Sequence, residues 1–132
     1  MSKELAGDLA GAALSARENA HAPFSKFQVG AALEDEFGDV YTGCNIENAT
    51  FGLTLCAERV AVFKAISEGA RRFSRIAIAA DTETLTPPCG ACRQILWEFC
   101  GDIAILLCNP RGKSEELRLK DLLPRAFDAS FL

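Results

Sequence analysis

Only one histidine occurs among the 132 residues, and no apolar run is long enough to span a bilayer. The histidine, His21, lies far in sequence from every cysteine and reads as a helix-end residue. The missing span argues against a membrane partner. The first residues, Met1-Ser2-Lys3-Glu4-Leu5, carry charge and no apolar leader stretch, so the expected location is the cytoplasm. Positive charge is also scarce. The formal net charge is −4, whereas polynucleotide binding usually needs a basic patch. The small basic group Arg71, Arg72 and Arg75 reads as a solvated turn. Linkers, low-complexity tracts and internal repeats are lacking, which leaves one domain over residues 1–132.

What is present is a large apolar fraction, 49%, enough for a buried core, and six cysteines. In the cytoplasm these should be reduced, so metal binding or burial is expected rather than disulfides. The pattern predicts a helix over 2–19, with Leu5, Leu9, Ala12, Ala13 and Ala16 on one face. Phe27, Val29, Ala31 and Leu33 alternate as a strand, and a turn at Gly38-Asp39 returns the chain as a second strand over 40–44. A polar loop, 45–54, precedes a helix over 55–68, with Thr54 or a neighbour as its cap and Gly69 as its stop. The apolar run 76–80 reads as a buried strand. Thr86-Pro87-Pro88 reads as an extended approach to a helix over 90–99. A strand over 103–108, a loop at 109–112 and a short helix near 119–123 complete the order. That order predicts a mixed sheet with helices on both faces, parallel from residue 76 onward.

Two short segments carry the chemistry: Cys56-Ala57-Glu58, and Pro88-Cys89-Gly90-Ala91-Cys92. Both stand at expected helix starts, where unpaired N–H groups and the helix dipole favour a thiolate. Cys92 follows Cys89 by three residues and lies on the same helix face. Three thiolates suit a zinc ion with one position left open. They leave the site with one excess negative charge. Arg59 and Gln94, just past the ligands, are expected to offset it by donating to the sulfurs; otherwise they are exterior helix residues. Glu58 stands two residues from a ligand, where a carboxylate can take a proton from water and pass it on. Its plainer reading is a helix-start acid favoured by the dipole. The plainer reading of the cysteines is a closed four-thiolate structural site, with Cys44, Cys100 or Cys108 as the fourth ligand. Cys100 and Cys108 also read as ordinary buried residues.

The two segments match the signature of zinc-dependent nucleobase deaminases, with cysteine in the first ligand position. Over nearly its whole length the chain resembles the small homotetrameric cytidine deaminases of pyrimidine salvage. The resemblance runs through residues 27–31, 43–49, 56–59, 88–94 and 122–127. It implies a three-layer α/β/α sandwich on a mixed, five-stranded-type sheet. It also implies one Zn²⁺ per chain and hydrolysis of cytidine and 2′-deoxycytidine to the uridines plus ammonia. Cys56, Cys89 and Cys92 would hold the metal, and Glu58 would move the protons. By the same resemblance Asn45 and Glu47 would bind the ribose 3′-hydroxyl and Phe27 would pack on the pyrimidine. The Ala57 N–H and the carbonyl before Cys89 would bracket the base's polar edge. Phe127 would stack on the base from a neighbouring subunit, so active sites are shared. Phe27 has a competing reading as a core strand residue. Phe51 stands where family members often carry Tyr, and His21 matches no family ligand. Alternatives are a deaminase of a modified cytidine or a blasticidin-S-type nucleoside, a polynucleotide editor, and a non-catalytic structural zinc module. The acidic balance and short length count against the editor.

Overall fold

A computed structural model describes the backbone of residues 2–132 and the side chains from Leu9 onward. Leu5, expected on the apolar face of the first helix, has its side chain outside the described residues. The elements are α1 (Ser2–Arg17), β1 (Val29–Asp35), β2 (Val40–Cys44), α2 (Ala57–Ser67), β3 (Phe73–Ala80), α3 (Gly90–Cys100), β4 (Ala104–Cys108), β5 (Ser114–Arg118) and α4 (Leu119–Leu122). The sheet order is β2-β1-β3-β4-β5. β1 is antiparallel to both β2 and β3, β3 and β4 are parallel, and β5 returns antiparallel on β4. The parallel pair is the one bridged by a helix, as a crossover requires.

The β1–β2 hairpin turns where Asp35 collects the free amides. Its carboxylate accepts from the N–H of Phe37 at 2.9 Å and of Asp39 at 3.0 Å, and from the Tyr41 hydroxyl at 3.2 Å. β5 was not expected from the sequence. Four of its five residues are polar or charged, and only Leu117 is partly buried. An edge strand packs on one side and meets water on the other, so it lacks the apolar run that marks a central strand. The basic group does more than solvate a turn. Arg71 donates to the carbonyls of Ile66 and Ala70, at the end of α2, and Arg75 pairs with Glu34.

Alternation in the strands divides the core into two faces. Leu33, Ile76, Ile78, Ile105 and Leu107 pack with Ala61, Val62, Ala65 and Leu96 of α2 and α3. Ala32, Ala77 and Ala79 face the other way and pack with Leu9 and Ala13 of α1. Two glycines let the helices come down onto the sheet. A Cβ on Gly30 would stand 2.0 Å from the Ala13 carbonyl oxygen, and one on Gly43 would stand 2.5 Å from that of Ala57. The second contact matters for function, because Ala57 opens the helix that follows Cys56. Gly43 thereby sets the height of Cys56 and Glu58 above the strands.

On the α1 face Glu34 and Arg75, directly opposed on β1 and β3, form an ion pair at 3.1 Å that is largely shielded from water. The Arg75 hydrogen bond holds the Glu34 carboxyl below its ordinary range, against the desolvation of the site and the charge of Asp35; a hydrogen bond from Ser74 helps. A depressed carboxyl stabilises the fold fully above its unfolded value, about 4.5, and loses that contribution as pH falls through the lowered one. Urea midpoints measured from pH 6 down to pH 2.5 should therefore decline less steeply for Glu34→Gln than for the wild type. Parallel curves would show that the pair contributes nothing to acid unfolding.

Candidate active site

Cys56 and Cys89 are the N-cap residues of α2 and α3, both with extended backbone. The cap of α2 is thus Cys56 and not Thr54, whose hydroxyl accepts from the Asn48 N–H. Neither sulfur is engaged in capping its own helix, so both remain free to bind a ligand. Cys92, one turn into α3, is fully buried. The three sulfurs lie within 4.8 Å of one another, and among the described residues no fourth ligand atom completes the group. Three sulfurs on one tetrahedral zinc stand roughly 3.8 Å apart, given Zn–S bonds of about 2.3 Å. The all-thiolate donor set suits zinc, and the cluster leaves one of four positions open. Cys44, Cys100 and Cys108 stay outside it. Burial pushes the Cys100 thiol up to about 12 and raises that of Cys108, whose sulfur donates to the Ile78 carbonyl. These are packing residues.

The electrostatics answer to the same geometry. A hydrogen bond from Cys92 lowers Cys56 to about 6, with help from the Arg59 charge. Cys92 moves upward for the complementary reason: it donates to Cys56 and is buried. Burial opposes the charge on Arg59, yet a hydrogen bond to Cys92 and the surrounding thiols hold it firmly protonated. The Nε of Arg59 is buried with no partner. Placing a guanidinium against three sulfurs is what a negatively charged zinc site requires.

Gln94 is a correction. Its amide is bound at both ends to the Phe127 main chain, donating to the carbonyl at 2.8 Å and accepting from the N–H at 3.2 Å, and not to a sulfur. A residue two positions past a ligand has rotated off the ligand's helix face. Gln94 therefore holds the C-terminal segment.

Glu58 is 5% exposed, in the first turn of α2. Desolvation pushes its carboxyl up to about 7, and the Cys56 charge adds to this. A neighbouring divalent cation would pull it back down. Glu58, Cys56 and Cys89 line one pocket of about 200 Å³ with Phe27, Asn45 and Ala57. Val29, Thr54, Leu55, Ile78, Thr86 and Pro87 complete the lining. These six were missed from the sequence. Thr86 and Pro87 had a signal, since they lead directly into Cys89.

The substrate-site expectations divide. Phe27 is 41% exposed and precedes β1, so it is a pocket residue and not a core strand residue. Asn45 fixes it there, donating to the Phe27 carbonyl at 2.7 Å and accepting from the Val29 N–H at 2.9 Å. One amide hydrogen and one lone pair of Asn45 remain for a ligand. Glu47 stands in an adjoining hollow with Phe24, Ser25, Phe51 and Thr54. Its carboxylate accepts from the N–H groups of Phe24 and Ser25 and from the Ser25 hydroxyl. The Ser25 hydroxyl leads in holding its pKa low. Thr54 lines both spaces. Phe127 is 59% exposed, stacks on Phe131 and is absent from its own chain's pocket. Phe51 is exposed and meets Phe24 edge to face. His21 bridges to Ile46 through its main chain.

Residues 4–107 match the family model described as the cytidine and deoxycytidylate deaminase zinc-binding region. A cytidine deaminase of Sporosarcina psychrophila is 54% identical over 113 residues, covering 85% of this chain and 83% of that one. One of Halalkalibacterium halodurans is 53% identical over 118 residues, covering 89% of each. The crystal structure of a cytidine deaminase from Burkholderia pseudomallei superposes with a TM-score of 0.88 at 46% identity, covering 92% of this chain and 98% of that one. The chain belongs to the cytidine and deoxycytidylate deaminase family, whose fold, a mixed five-stranded sheet between helices, it shares.

Proposed function

We propose that this chain catalyses the hydrolytic deamination of cytidine and 2′-deoxycytidine, yielding uridine or 2′-deoxyuridine and ammonia. The observation that carries this reading is the three-sulfur cluster, with its open position, set in one pocket with a buried carboxylate. A zinc ion held by Cys56, Cys89 and Cys92 supplies the Lewis acidity that makes water a nucleophile at neutral pH. Glu58 takes a proton from the attacking water and delivers it to N3 of the pyrimidine. The water oxygen bonds to C4, and as the C4–N4 bond breaks Glu58 passes that oxygen's remaining proton to the departing amine. Phe27 packs on the ring, Asn45 and Glu47 hold the ribose, and the Ala57 N–H faces the polar edge of the base. Arg59 keeps the sulfurs from suppressing the ionisation of water. The absence of a fourth thiolate among the described residues counts against a purely structural zinc module. The test follows loss of cytidine absorbance by zinc-loaded protein beside a Glu58→Ala control. Rapid loss with wild type alone supports the reading. No loss with full zinc occupancy refutes it.

The same reading makes the chain one domain, over residues 1–132, and a homotetramer with shared sites, working in the cytoplasm. The exposed Phe127 supports sharing, since its backbone is held by Gln94 while its ring lines neither the pocket nor the adjoining hollow of its own chain. Among the described residues no helix is long and apolar enough to cross a membrane, and all six cysteines are free, as a reducing compartment would leave them. Light scattering should return the mass of four 14.2 kDa chains. Phe127→Ala should keep that mass and raise KM about tenfold, the size of a lost base stack. A monomer with full activity would overturn the shared site.

A further inference from the structure

Among the described residues Asn109 is one of five buried polar or charged side chains, at 2% exposure. Asn45 and Glu58 line the pocket, Asp35 closes the hairpin turn, and Glu34 pairs with Arg75 across β1 and β3. Asn109 lies outside the pocket, just past β4. Its Oδ1 accepts from the N–H of Arg111 at 3.0 Å and of Lys113 at 3.1 Å, closing the β4–β5 turn. Its Nδ2 donates away from that turn, to the Thr82 carbonyl at 3.0 Å.

Two further side chains of the turn reach the same stretch. Lys113 Nζ donates to the Glu83 carbonyl at 2.9 Å, and Arg111 pairs with Asp81. One turn thus grips three consecutive residues of the loop between β3 and α3. That loop has no regular structure of its own, yet it carries Thr86, Pro87 and Cys89 of the pocket wall. A hydrogen bond between the Thr82 and Thr86 hydroxyls, at 2.8 Å, links the gripped half to the lining half.

We propose that Asn109 is a positioning residue for the pocket, strapping the β3–α3 loop to the β4–β5 turn so that Thr86 and Pro87 stand at a fixed distance from bound nucleoside. The proposal rests on the pocket being the nucleoside site. The choice of side chain supports it. Closing the turn needs only an acceptor, which aspartate offers equally, whereas the bond to Thr82 needs a donor on the same group. Of the two, only the amide has both.

Asn109→Asp separates the roles. It keeps the acceptor for Arg111 and Lys113 and turns a carboxylate oxygen against the Thr82 carbonyl. Lys113→Met removes a second strap while leaving the turn's main chain intact, and it carries the test if the first variant fails to fold. The wall touches the nucleoside in ground and transition state alike, so KM for cytidine should rise about tenfold with kcat within about threefold of wild type. Hydrogen exchange should quicken at the amides of 82–86 while β4 and β5 keep their protection, and Lys113→Met should show the same pattern more weakly. Unchanged KM and unchanged loop exchange in both variants would overturn the proposal. So would a lowered unfolding temperature with KM unmoved, because that is what a purely structural asparagine predicts. If wild type does not deaminate cytidine, the nucleoside reading fails separately, and loop exchange still decides whether the strap exists.

Discussion

Glu58→Gln should lower kcat by about 10³-fold or more, roughly 4 kcal/mol of barrier, while zinc content and far-UV spectrum stay those of the wild type. The amide has the carboxylate's shape but can neither take a proton from water nor pass one to a nitrogen. Glu58 is the carboxylate that lines the pocket beside the sulfurs, so no other acid is placed to substitute for it. Stability should move little, or upward. A buried carboxylate opposes folding through desolvation, and glutamine removes that cost. Loss of turnover without loss of stability marks a residue placed for chemistry. Turnover within tenfold of wild type would place the proton transfer elsewhere.

Removal of zinc by a chelator should abolish activity and lower the unfolding temperature by about 10 °C or more. A site filled at about a thousand times its dissociation constant adds about 4 kcal/mol to stability. Each kcal/mol moves the midpoint of a chain this size by a few degrees. The structure places the loss at the starts of α2 and α3, where the three sulfurs lie within 4.8 Å of one another. Cys92→Ala should bind less than one zinc per chain and lose activity likewise. Cys108→Ala should keep both, since its sulfur lies on the opposite face of the sheet, packed with α1. Equal zinc loss in the two variants, or an unfolding temperature indifferent to the chelator, would contradict a site built on Cys56, Cys89 and Cys92.

Local chemistry decided which parts of this molecule could be read without coordinates. The hairpin was legible because strand alternation and a turn signal act within a few residues of each other. The sulfur cluster was legible because a thiolate at a helix start and a second one turn later are both local arrangements. β5 was not, since an edge strand has no apolar run to announce it. Gln94 misled because spacing from a ligand says how far a residue is along the helix and not what waits for its side chain. The partner was Phe127, 33 residues away.

By itself, the sequence determined the donor set, the acid beside it and the order of every element except β5, because each depends on residue type and short spacing. Only the tertiary structure decided that Cys56 and the Cys89–Cys92 pair meet in one cluster beside the pocket. It alone placed Gly43 under α2 to set the height of Glu58, and brought the β4–β5 turn against the loop that walls the site. Those outcomes depend on contacts between residues far apart in the chain. They exist only once the sheet has brought its strands together.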